Sequence, residues 1–429
     1  MMYKTERIIK DNGLQVTSSI MPHMHSAAIV IGIRAGSVYE NQDQRGISHF
    51  IEHMLFKGTS KRKNTLEISQ CIEQLGGEIN ASTSEECTFL YCKILHKNFS
   101  DAFEVMIDIL NDSLFKKEDI NHEKAVVIEE INKYKDIPED WIGFLINQLL
   151  WKNSILGQNV LGEKKTIRRF DRDAIFQYYR ERYQPKNMVI SITGNVPSEA
   201  VRDMTEALPF VEDKVKEKET DLDVQSKEQE APEMRLLPRK INQAHLSFAF
   251  ETFSRFHPDK ITLDLLNILL GAGLSSRLFQ EVRVKGGLAY DIHSYTQYFD
   301  QTGSFNIYAG VDPDKLQRSI VTILGELVKV KNDEISGKEL QKAKEMYKGS
   351  ILLGLESTLN YAFSTGTYLL LLNKEYQYQE LIDKIDRIKM DDIRGLAQKI
   401  FMSHRINLVV LYPNHIKISK SRIYSLLKL

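Results

Sequence analysis

HFIEHMLFKGTSKRKNTLEISQCIEQLGGEINASTSEECTFLY, residues 49–91, begins with two histidines four positions apart and a glutamate directly before the second. Ile47, Phe50, Ile51, Met54 and Leu55 follow the i, i+3, i+4, i+7, i+8 spacing of an amphipathic helix, and Gly58 is placed to end it. That stripe fixes the opposite side. His49, Glu52 and His53 fall together away from it, again at separations that make helical side chains neighbours. Two imidazoles one turn apart can both reach one metal ion at roughly 2.0 to 2.1 Å, and a catalytic zinc site takes three protein ligands and keeps a fourth position open. A carboxylate beside the second histidine can accept a proton from a water that zinc has acidified. H-x-x-E-H is the inverted form of the H-E-x-x-H zinc-protease motif. A five-residue match needs context, because two histidines on an ordinary helix surface give the same pattern.

The third ligand has to come from elsewhere. HEKAVVIEEINKYKD, residues 122–136, is a long helical pattern in which Glu123 and Glu130 are seven apart and share a face. Glu129 and Glu130 point about 100° apart on a helix, so only one of them lies on the Glu123 face. Glu130 is the choice for the ligand, with Glu123 as a supporting acid that orients a ligand or tunes its basicity. An acidic solvent face is the plain alternative. Between the two helices, Ile68, Cys71, Ile72 and Leu75 mark one helical face, Gly76 and Gly77 stop it, and the Thr/Phe/Tyr-rich run that follows predicts a strand. Such a strand can receive an extended peptide by edge pairing, or it can be an interior strand with no free edge.

At 429 residues the chain suggests two domains. VEDKVKEKETDLDVQSKEQEAPE, residues 211–233, carries almost no apolar anchor and predicts a linker, giving domains over 1–210 and 234–429. Both halves show the same coarse order of strand runs and helices. In the first, a β-rich segment over 15–39 is followed by helices, a β-like run over 78–95, long helices and the closing NMVISITGNV. In the second, HLSFAFETF, TLDLLNILLG, AYDIHSYTQYFDQTGSFNIYAGV, a helical stretch over 340–355 and RINLVVLYP repeat it. The expectation is an α+β architecture used twice.

With 57 basic and 58 acidic side chains the chain has no global bias toward nucleic acid or an anionic membrane. Cys71, Cys87 and Cys92 form no CxxC pair and suggest free thiols in a reducing compartment. MMYKTERIIKDNG lacks the apolar core of a secretory signal and the Arg/Ser-rich character of a transit peptide. No apolar run approaches a spanning helix. The expected setting is therefore soluble and cytoplasmic.

HFIEHMLFKGT, GGEINASTSEECTFLY and EKAVVIEEI, in this order and spacing, resemble the pitrilysin-type inverzincin metallopeptidases. They are most similar to the branch containing the mitochondrial processing peptidase and its bacterial single-chain relatives. LGEKKTIRRFDRDAIFQYYRERYQPKNMVISITGNV, LLGAGLSSRLFQEVRVKGGLAYDIHSYTQYFDQTGSF and KGSILLGLEST extend the resemblance over nearly the whole chain outside the termini and linker. The resemblance implies His49, His53 and Glu130 as ligands of one Zn2+ per chain, Glu52 as general base and Glu123 as supporting acid. Asn80 and Ala81 match the segment whose strand holds substrate backbone. Arg283 and Tyr290 match an Arg/Tyr pair that engages substrate, although Val284 and Gly286 stand where a Glu and an Arg are common. The implied fold is two similar α+β domains per chain, each a mainly antiparallel sheet packed with helices and forming half of a clamshell chamber. The implied assembly is a homodimer with composite sites, a heterodimer with a related subunit being the alternative. The implied activity is endopeptidase cleavage of short or unfolded peptides, or removal of a leader. A non-catalytic scaffold subunit and a peptide-binding module without turnover are the rival classes.

Overall fold

In the computed structural model, residues 4–152, 154–208, 229–332 and 335–429 are described. The chain divides into two compact units, one built from residues 1–132, 159–222 and 352–376, the other from 133–158, 223–351 and 377–429.

The first unit holds six strands, β1 (Lys4–Ile9), β2 (Gln15–Ile20), β3 (Ser26–Ile33), β4 (Glu78–Thr83), β5 (Thr88–Leu95) and β6 (Met188–Gly194). Their order is β1-β2-β6-β3-β5-β4, antiparallel except where β2 meets β6. The second holds β7 (Glu233–Arg239), β8 (Ala244–Thr252), β9 (Ala289–Tyr298), β10 (Gly303–Val311) and β11 (Asn407–Pro413), ordered β7-β11-β8-β10-β9. The closing strand β11 runs parallel to β7 and antiparallel to β8, just as β6 runs parallel to β2 and antiparallel to β3. Without β1, the two orders superimpose element for element, so the internal duplication expected from the sequence is present in the topology. The β-like run over 78–95 is a hairpin of β4 and β5 rather than one strand.

Both sheets are covered on two faces, which explains strands buried along nearly their whole length, such as β6 and β10. On β3, Ala27, Ile29 and Ile31 join the main core of their unit. Ala28 and Val30 point the other way and pack with Ala362, Leu359 and Phe363 of the helix Thr358–Leu372. In the second unit, Ala249 of β8 and Val409 and Leu411 of β11 receive Ile142, Leu145, Ile146 and Leu149 of the helix Pro138–Leu150. Each unit thus takes one covering helix from the sequence half that supplies the other unit's sheet. The contiguous halves 1–210 and 234–429 expected from the sequence differ from the packing units for this reason: an apolar sheet face demands a cover, whatever the sequence distance to it. Of the expected linker, residues 211–228 lie outside the described residues, and Glu233 opens β7.

Candidate metal centre

The helix Ile47–Leu55 carries the two histidines, and its apolar stripe is fully buried, as the periodicity predicts. Its start is held by a buried acid. Gly46 donates its N–H to Glu40 Oε2 at 2.7 Å and Ser48 donates to Glu40 Oε1 at 2.9 Å, so one carboxylate satisfies two donors at the helix N-terminus. Gly46 itself has φ 89°, and a Cβ there would meet Gly162 Cα at 2.8 Å. The Ser48 hydroxyl lies 2.8 Å from that of Tyr178, tying the helix to its neighbour Arg172–Arg182.

Burial pushes Glu40 up from its ordinary 4.5 to about 7, against its hydrogen bonds to Ser48 and Gly46 and the nearby Arg45 charge. A carboxyl whose folded pKa is raised stabilises the fold most below its unfolded pKa, and that contribution fades as pH rises through the folded value. Stability is therefore expected to fall between pH 4.5 and about 7, by up to roughly 3 kcal/mol from this group. In Glu40→Gln, which does not titrate, the slope of urea midpoints across pH 5 to 8 should become shallower. An unchanged slope would remove Glu40 as its source.

The second helix, Lys117–Asp136, buries Ile120, Glu123, Val127 and Ile131, so an acid occupies a core position in an otherwise apolar stripe. Glu123 Oε1 accepts from His53 Nδ1 at 2.8 Å. With Nδ1 held by Glu123, Nε2 is the ring nitrogen left to face the site, 3.3 Å from His49 Nε2. Glu130 Oε2 completes the group at 3.4 Å from His53 Nε2 and 3.7 Å from His49 Nε2. Glu129 is exposed and accepts from Asn132 instead. His49 is buried rather than on a solvent face.

Three ligand atoms around one tetrahedral zinc at roughly 2.0 to 2.2 Å stand about 3.3 Å apart, so these separations fit that ion. The set of two imidazoles and one carboxylate fits zinc chemically as well. Burial pushes His49 down to about 4, with His53 adding to it. His53 is also opposed by burial, but Glu123 and Glu130 outweigh it and lift the ring to about 9.

Glu52 lies beside this triangle. Thr83 Oγ1, at the end of β4, donates to Glu52 Oε2 at 2.5 Å, and burial raises the Glu52 carboxyl above its ordinary value. Among the described residues β4 pairs only with β5 and is the edge of its sheet, so the interior-strand alternative does not hold. Along it, Asn80 and Ser82 are exposed while Ala81 is buried. Asn80 Oδ1 accepts the N–H of Ala81 at 2.8 Å.

Arg283 and Tyr290 belong to the second unit. The Arg283 guanidinium stands 4.8 Å from the ring centroid of Phe279 and 5.8 Å from that of Tyr290, which is 75% exposed. The two residues are therefore neighbours there, with Val284 also exposed. The second unit also brings Glu139, Asp291 and His293 within 4.8 Å of one another, Asp291 and His293 being 3.4 Å apart.

Sequence reasoning missed Lys57, Thr83 and Glu40. Lys57 Nζ lies 2.6 Å from Glu123 Oε2. Its position four residues after His53 was the available signal. For Glu40 and Thr83 no local pattern existed, since both act across loops.

Residues 15–164 match the family model described as Insulinase (Peptidase family M16), and residues 169–347 match that of the Peptidase M16 inactive domain. The chain belongs to the M16 peptidase family. His49, Glu52, His53, Glu123 and Glu130 all fall in the first of these segments. A Bacillus subtilis protein named "Uncharacterized zinc protease YmxG" is 36% identical over 92% of this chain and 95% of its own length. A Streptomyces coelicolor protein of similar name is 32% identical, covering 94% of this chain and 88% of the relative. Among solved structures, a protease from Helicobacter pylori matches with a TM-score of 0.88 at 25% identity, over 96% of this chain and 100% of that one. A Pseudomonas fluorescens M16 inactive domain shares the fold, with a TM-score of 0.85 at 17% identity, over 95% of this chain and 98% of that one.

Proposed function

We propose that the chain is a zinc-dependent endopeptidase that cleaves short or unfolded peptides, or removes a leader from one. The observation that carries this reading is the triangle of His49 Nε2, His53 Nε2 and Glu130 Oε2 at 3.3 to 3.7 Å, with Glu52 beside it. Zinc, when bound, supplies a Lewis acid that polarises a carbonyl and brings the pKa of water toward neutrality. Glu52, aimed by Thr83, takes a proton and later returns it to the leaving amine. β4 offers unpaired main-chain groups to an extended peptide, with Asn80 and Ala81 beside it, which reads backbone rather than side chains. Arg283 and Tyr290 grip substrate at the zinc site of the opposite chain of a dimer. One zinc per chain, a cytoplasmic setting and a homodimer complete the proposal.

Among the described residues no helix is long and apolar enough to cross a membrane. The test combines metal analysis of the purified chain with mass spectrometry of a digested peptide library, before and after chelation. One zinc per chain and chelator-sensitive cleavage are expected. A zinc-free, inactive chain would replace the reading with that of a scaffold subunit.

A further inference from the structure

The segment after the second histidine, Phe56 to Thr59, supplies no metal ligand, yet its path is strongly constrained. Gly58 has φ 138°, and a Cβ there would lie 2.5 Å from the Lys63 carbonyl oxygen. The Gly58 carbonyl accepts the Leu114 N–H at 3.1 Å. Thr59 is fully buried, bridges to Ser113, and donates its hydroxyl to Asp108 Oδ2 at 2.6 Å. These contacts fix where Lys57 leaves the backbone. Its ammonium, with the side chain 26% exposed, reaches Glu123 Oε2 at 2.6 Å, while the Glu123 side chain is only 3% exposed.

We propose that Lys57 is a positioning residue for the metal centre, clamping one oxygen of Glu123 so that the other holds His53 Nδ1 and aims Nε2 at the metal. This rests on the zinc reading above. A buried carboxylate without a counter-ion is strongly disfavoured, and one anchored at a single oxygen can swing. Lys57 removes both problems from one turn beyond His53. Against this stands repulsion between the ammonium and a bound cation. The Glu123 carboxylate and the His53 imidazole lie between the two, however, so the nearer negative charge screens that repulsion and orientation dominates. Partners that orient a metal-binding histidine are typically worth 10- to 100-fold in metal affinity.

The experiment titrates zinc ion into the metal-free full chain against a chromogenic chelator, at one pH, with circular dichroism melts as the folding control. K57M is expected to bind zinc about 10-fold more weakly, at the lower end of the range for such partners, and K57R to recover most of the loss. In the E123Q background, K57M should add little, because Lys57 acts through that carboxylate. Unchanged or tighter zinc binding in K57M, or a fully additive double variant, would overturn the proposal. If K57M fails to fold, K57Q carries the same comparison. Failure of the zinc reading has a separate signature: the unsubstituted protein and H53A would bind zinc equally poorly.

Discussion

Glu52→Gln is expected to keep its zinc and to lose peptide hydrolysis by roughly 10²- to 10⁴-fold, the usual contribution of a positioned general base. Glutamine preserves the shape of the side chain, and its amide oxygen can still accept from the Thr83 hydroxyl that meets Oε2 at 2.5 Å. What it cannot do is take a proton. Because Glu52 is not one of the three converging ligand atoms, zinc affinity should stay close to that of the unsubstituted chain. Single-turnover cleavage of an unfolded peptide, with zinc measured on the same sample, reads both quantities. Hydrolysis undiminished in a zinc-loaded Glu52→Gln chain would exclude Glu52 as the base.

The second large effect separates two adjacent acids. Glu130→Ala removes a carboxylate that stands 3.4 Å and 3.7 Å from the two imidazole nitrogens, and zinc affinity should fall by more than the roughly 100-fold seen for outer partners of a metal site. Glu129→Ala, one position earlier, should leave affinity within about twofold, because that side chain is exposed and engages only Asn132 among the contacts shown. Equal losses from both would mean the helix, not the ligand, had been damaged.

The candidate metal centre was legible because its logic is helical. His49, Glu52 and His53 share a face by spacing alone, and the seven-residue interval from Glu123 to Glu130 repeats that logic on a second helix. Glu123 carried a further signal, an acid inside the buried stripe of Ile120, Val127 and Ile131. What stayed hidden depends on contacts across loops. Lys57 reaches Glu123 only because Gly58 and Thr59 dock on Leu114 and Ser113. Glu40 caps the motif helix across a turn closed by Gly46. The edge position of β4 is a property of the sheet and leaves no trace in GGEINAST. The strands β1 and β7 escaped because they are sheet edges, partly exposed and rich in charge, without the apolar run that marks β3 or β10. The resemblance to the inverzincin peptidases pointed to the same five residues for the proposed metal site, and the family match supports the family itself.

The traded covering helices set a timetable for synthesis. β6, the last strand of the first sheet, ends at Gly194, but the helix that covers that sheet's second face begins at Thr358. Residues 195–357 must be made in between, and at about 5 to 20 residues per second a ribosome needs roughly ten to thirty seconds for them. During that interval Ala28 and Val30 have no native cover, although every strand of their sheet has emerged. The amino-terminal half therefore cannot reach its final packing while it is the only half in existence. A nascent chain stalled before residue 358 is the place to look for chaperone engagement.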